Sequence, residues 1–191
     1  MDTLTSLSNL AIFYSNLGDH NKALEMENRV YNSRKQILGE RDLDTLTSLS
    51  NLAITYSDLG DYNKAMKLHE EVYVLRKQIL GVNHPDTLTS LFNLAGSYSD
   101  LGDYSKAFEL HNTVYNARKE ILGEAHPDTL TSLSNLAISY SNLGDYNKAM
   151  KLHEEVYISR KQILGVNHSD TLRSLYNLAI SYSDLGDYNK A

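Results

Sequence analysis

The 191-residue chain is 41% apolar and carries 18 basic against 24 acidic residues, a net charge of −6. That is enough apolar content for a core, and the acidic balance argues against a nucleic-acid binder, which carries a basic stripe. No cysteine occurs and no apolar run is long enough to span a bilayer. Disulfides, thiolate metal sites and a membrane-spanning helix are therefore excluded, and a cytoplasmic setting is expected.

Met1 is followed at once by Asp2 and a helical pattern, so no signal or transit segment is expected. The string DTLTSLSNLA begins at Asp2, and close copies begin at Asp44, Asp86, Asp128 and Asp170, each 42 residues on. The chain divides into repeats 2–43, 44–85, 86–127 and 128–169 with a half repeat 170–191, read as one repeat domain over 1–191 whose last piece acts as a C-terminal cap. Repeats 44–85 and 128–169 differ only at Thr55/Ser139, Asp58/Asn142, Val74/Ile158, Leu75/Ser159 and Pro85/Ser169.

In repeat 44–85, Asp44 is expected to cap a first helix in which Leu46, Leu49, Leu52, Ala53, Tyr56 and Leu59 recur at three- and four-residue steps. Gly60 stops it and Asp61 caps a second helix over roughly Tyr62 to Leu80, with Ala65, Leu68, Val72, Tyr73, Ile79 and Leu80 on its apolar side. Gly81 ends that helix. Alternation of period two is nowhere sustained, so strands are not expected. One hairpin cannot bury its apolar faces alone, whereas stacked neighbours can. The fold expected is all-α, a right-handed α-solenoid of stacked antiparallel helical hairpins.

Leu49, Leu52, Ala53, Tyr56, Gly60-Asp61-Tyr62 and Ala65 resemble the tetratricopeptide repeat, lengthened here from its usual form to 42 residues. The segment RKQILGVNHPDTLTSLFNLA, from Arg76 to Ala95, is similar to the repeats of kinesin light chains. The resemblance implies a scaffold that binds an extended peptide or protein segment along the concave face of the first helices. It also implies a role for the Asn on that face, here Asn9, Asn51, Asn93, Asn135 and Asn177. The basic residue of a carboxylate clamp, one turn earlier, is present only as Arg173; Thr5, Thr47, Thr89 and Thr131 stand there otherwise.

The Asn ladder has two readings, contact with a peptide or a hydrogen bond between repeats. Its neighbours Ile12, Ser15 and Asn16, with Ile54, Ser57 and Asp58 one repeat on, suit a polar ligand with basic residues. The repeats disagree at Phe92, Gly96, Arg173 and Tyr176, which mark local specialisation. Phe92 beside Gly96 reads either as a pocket or, preferred here, as a ring filling the space of a missing Ile. His69, His111 and His153, like His84, His126 and His168, are spaced one repeat apart, too far to share a metal ion, so no metal or other cofactor is expected. The pairs Arg34-Lys35, Arg76-Lys77, Arg118-Lys119 and Arg160-Lys161 read as helix-dipole partners on a solvated face.

No nucleophile elbow, phosphate loop or HExxH is present, and rows of like groups do not converge as an active site must, so no enzyme is expected. The chain reads as a piece of a longer array whose exposed ends stack head to tail on other copies. The alternative to peptide binding is a spacer or self-associating array, or a repeat segment made as a folding model, with no ligand of its own.

Overall fold

The computed structural model describes residues 2–187; the last four positions of the half repeat lie outside the described residues. Two compact units make up the chain, Met1–Gly102 and Asp103–Ala191. The first holds α1 (Asp2–Asn16), α2 (His20–Leu38), α3 (Leu43–Asp58), α4 (Tyr62–Leu80) and α5 (Pro85–Asp100). The second holds α6 (Tyr104–Leu122), α7 (Pro127–Asn142), α8 (Tyr146–Leu164) and α9 (Ser169–Asp184). No strand occurs among the described residues. Within each unit every helix packs against its successor, and in the first α1 also meets α3 and α3 meets α5. This is the all-α architecture of stacked helical hairpins that the repeat predicts.

The second helix falls where the apolar spacing puts it, Tyr62–Leu80, about 28 Å long at 1.5 Å per residue. Asp61 accepts from the Lys64 amide at its start. Gly60 (φ 80°) and Gly81 (φ 89°) supply the left-handed conformations that end the two helices, which a side chain would strain. The amide of Asp61 donates to the Tyr56 carbonyl at 2.9 Å, closing the tight turn between them.

The start of the first helix differs from expectation. Asp44, Asp86, Asp128 and Asp170 are not the caps; they lie in the first turn, behind Asp42, His84, His126 and His168. The three histidines accept through Nδ1 from the amide two residues on, at 3.2 Å each. In α5 and α7 a proline follows at the first helical position, where its missing N–H costs nothing. The displaced carboxylates still favour the helix N-terminus electrostatically.

Leu49, Leu52 and Val72 form a buried core in the first unit, flanked by Leu24, Tyr31, Tyr56 and Leu68. Leu133, Leu136 and Val156 do the same in the second, with Phe108 edge-on to Tyr140 at 4.9 Å between centroids. Ala53, Ala65, Ala137 and Ala149 are fully buried, and their small side chains let neighbouring helices approach closely. Tyrosine thus occupies the packing position predicted for it, and Lys64 and Lys148 lie over the outer faces of Tyr56 and Tyr140 at 4.0 and 4.8 Å.

Three of the four paired arginines are not on a solvated face. Arg76, Arg118 and Arg160 are buried. Arg76, at the end of α4, donates to the Asp86 carbonyl (3.4 Å) and Ser90 hydroxyl (3.1 Å) of α5, and to the Thr47 hydroxyl (2.8 Å) of α3. Arg160 makes the same set to Asp170, Ser174 and Thr131 in the second unit. The paired lysines stay outside, over Tyr73 and Tyr157.

Four buried hydroxyls, of Thr45, Thr87, Thr129 and Thr171, have no hydrogen-bond partner. A buried donor without a partner costs free energy that an apolar group of the same shape avoids. Thr87→Val and Thr129→Val are therefore expected to raise stability by about 0.5–1 kcal/mol each in urea unfolding. Unchanged or lowered midpoints would contradict this.

Candidate functional site

Four of the five first helices present an outward edge carrying Ile at the same register, with Gly96 standing there in α5. Ile12, Ile54, Ile138 and Ile180 are 51, 45, 41 and 43% exposed, although the chain has abundant buried positions for such residues. In the first unit a cleft of about 440 Å³ opens between α1, α2 and α3, with Ile12, Ser15, Asn16, Asn51, Ile54 and Asp58 on its walls. In the second unit a cleft of about 310 Å³ has Ile138, Ser141, Asn142, Asn177, Ile180 and Asp184 in the corresponding places. An adjoining cleft, also about 310 Å³, brings Asn135, Asn177 and Arg173 together beside buried Arg160.

The Asn residues do structural work. Asn51 Nδ2 lies 3.4 Å from Ser8 Oγ, Asn93 Nδ2 3.4 Å from Ser50 Oγ, and Asn177 Nδ2 3.3 Å from Ser134 Oγ, each a bond to the preceding first helix. Asn135 differs: it donates to the Thr131 carbonyl of its own helix at 3.0 Å. The second row across the cleft is Ser to Asp: Ser15 and Ser57 donate to Asp58 and Asp100, both at 2.8 Å. Those carboxylates are fixed in place while remaining exposed.

The divergent positions are scattered. A Cβ added at Gly96 would meet nothing within 4 Å, so the Phe92 ring does not occupy the space next to it, and the preferred reading of a ring filling that gap is not supported. Arg173 pairs with Asp170 of its own helix at 2.8 Å. Tyr176 on α9 is 67% exposed, and Asn9 stands exposed on α1.

Two line-ups of residues escaped the sequence reading. Glu27 occupies in the first repeat the register of His69, His111 and His153, and His20 that of Tyr62, Tyr104 and Tyr146. Both line the first cleft. Comparing the repeats position by position along their second helices would have found them. Glu27 is 2% exposed; Ser8 donates to its Oε1 at 3.0 Å, and Oε2 has no donor within hydrogen-bond geometry. Burial pushes its carboxyl up, opposed by the Ser8 hydrogen bond, the charge of Arg34 and the nearby Asn51 amide. The histidines at that register respond oppositely. Burial lowers His69, His111 and His153 to about 4, so they are neutral near pH 7. His69 and His111 share hydrogen bonds of 2.8 Å with Ser97 and Ser139.

The tetratricopeptide-repeat family model matches residues 2–78, 59–120, 93–157 and 128–191. The chain belongs to the tetratricopeptide-repeat family, whose fold is typical of protein–protein interaction scaffolds. Among solved structures it is similar to a Podosopora anserina protein assigned as a kinesin light chain with nearly identical TPR-like repeats: 29% identity over 98% of this chain and 89% of that one, TM-score 0.80. BtubC (BKLC) from P. vanneervenii shares the fold at 23% identity, 97% and 74% coverage and TM-score 0.79. So does a Rap protein complexed with Competence and Sporulation Factor, at 14% identity and TM-score 0.79, over 97% of this chain and half of that one, 50%. No curated protein matches the sequence. Among the described residues, no helix is long and apolar enough to cross a membrane.

The histidines set a pH dependence. A folded-state value near 4 against 6.5 favours the neutral ring in the fold, so this contribution to stability is complete above about pH 6.5 and lost as pH falls through about 4. Glu27 acts with the opposite sign, its contribution present at low pH and lost as pH rises through its elevated value. Urea unfolding is expected to show stability falling from pH 6.5 to 5, above the range of ordinary carboxylates, with a shallower slope in His69→Gln/His153→Gln. An identical slope in that variant would contradict the assignment.

Proposed function

We propose that the chain is a non-catalytic scaffold whose first-helix face binds an extended peptide or protein segment in the cytoplasm. The observation that carries this reading is the recurring cleft: exposed Ile flanked by Ser, Asn and Asp, in both units. Isoleucine left about half exposed at the same place in both units is apolar area that a partner's side chains would cover. The polar groups beside it can satisfy a peptide backbone. The Asn residues frame the clefts through their bonds to serine, and Asn135, freed from such a bond, joins Asn177 and Arg173 as the polar set of the second unit. The Rap protein, of the same fold, is seen complexed with Competence and Sporulation Factor, which supports a ligand-carrying role for this architecture.

A second reading, head-to-tail self-association, is favoured by one observation. Leu172 and Leu175 on α9 are 51 and 43% exposed, while Leu130 and Leu133, one repeat earlier, are 4 and 3% exposed. Leu10 and Phe13 on α1 are likewise 42 and 56% exposed. These are faces on which a further hairpin would pack, of an adjoining repeat or of a second copy of the chain.

Peptides selected by display against the chain test the main reading. Ile54→Asp/Ile138→Asp should weaken them at least about tenfold, roughly 1.4 kcal/mol, with little change in melting temperature because both side chains are already exposed. Undiminished binding by the folded double variant would overturn the groove assignment.

A further inference from the structure

The first cleft differs from the others in chemistry. Its walls are aliphatic, from Ala11, Ile12 and Ile54, and its polar lining holds two carboxyl groups, Glu27 and Asp58, beside Ser15, His20 and the amides of Asn16 and Asn51. At the same register, the second-unit cleft has His153, which burial holds neutral. A carboxylate has therefore replaced an uncharged ring at one place only among the four registers.

Glu27 is not a routine core residue. It is almost completely buried, yet it lines the cleft, and its Oε2 has no hydrogen-bond donor. Leaving a carboxylate oxygen in that state is costly, more so than for a neutral acceptor. The cation of its own helix whose charge acts on it, Arg34, donates elsewhere, to the Asp44 carbonyl (3.3 Å) and the Ser48 hydroxyl (2.7 Å). The basic side chain that lines the cleft is His20, and it lies 3.8 Å from Asp58.

We propose that this cleft is a specificity pocket for an arginine side chain of the bound segment, with Glu27 as the carboxylate that receives the guanidinium. The inference rests on the reading of the first-helix face as a peptide groove. The aliphatic walls suit the methylene stem, and a cleft of about 440 Å³ has room for the whole side chain. Guanidinium suits the polar lining better than ammonium does. Its planar fork of five donors can serve a carboxylate and neighbouring carbonyls at once, and it sheds water more readily. Asp58, held by Ser15, adds a second negative charge.

The test uses the full chain, labelled with ¹⁵N, titrated with N-acetyl-arginine N-methylamide and with its neutral citrulline counterpart. Saturable shifts are expected at the amides of Ala11, Ser15, Asn51 and Ile54. Binding should be at least about fivefold tighter for the arginine probe than for citrulline, and weakened by at least as much in Glu27→Gln, since the charge carries the recognition. Glu27→His, which installs the residue of the other repeats and so preserves folding, should lose the probe equally. Equal binding of citrulline, or undiminished arginine binding in both folded variants, would overturn the proposal. Shifts confined to the surroundings of Ile138 and Ile180 would also overturn it while leaving the groove reading standing. Display peptides that bind the groove with no preference for arginine would do the same.

Discussion

A guanidinium at the same place near the end of each second helix, buried at Arg76, Arg118 and Arg160, ties that helix to the first helix that follows. Arg76 leaves the last turns of α4 and reaches three groups on two other helices: Thr47 on α3, and Ser90 and the Asp86 carbonyl on α5. Burial disfavours its charge, and Asp86 opposes that cost. Hydrophobic contact between helices is non-directional and tolerates sliding. A planar donor fork does not, because each N–H must meet its acceptor within a few tenths of an ångström. The Arg160 set repeats the arrangement in the second unit, so the fastening is a property of the repeat and not of one accident of packing.

That fastening decides where the proposed binding face lies. With α3 and α5 fixed against α4, Asn93 comes within reach of Ser50 and Ser57 within reach of Asp100, and the gap between these rows is bounded. The same rows in α1 and α3 bound the cleft that ends on Glu27. The repeat thus produces a series of similar clefts, and chemistry is varied by single substitutions within a fixed frame. Glu27 and His20 change the first; Arg173 changes the last. Framing by hydrogen-bonded Ser, Asn and Asp also leaves aliphatic side chains such as Ile54 partly exposed beside the cleft.

Much of this was legible in the sequence. The period, the helix over 62–80, the terminating glycines and the packing tyrosines follow from local spacing and backbone conformation, which any repeat carries in its own residues. What could not be read is relational. Arg76 beside Lys77 looks like a solvated pair until α3 and α5 surround it, and a histidine before proline reads as a loop residue until its Nδ1 is seen capping the helix. The Asn ladder had two readings because the residue opposite Asn51 is 43 positions away, and only the stacked hairpins bring Ser8 to it. Glu27 was in plain view in the histidine register, but an acidic residue on a helix is ordinarily solvated, and its burial comes from α1 and α3 together.

The central claim is that the arginine fastening, and not apolar contact alone, sets the stacking. A double-mutant cycle on Arg76→Met and Ser90→Ala, read by urea unfolding, tests it most directly. A coupling of about 1 kcal/mol or more is predicted, since each side chain loses its partner in the other's absence. Additive effects within about 0.3 kcal/mol would contradict the account and return the register to hydrophobic packing.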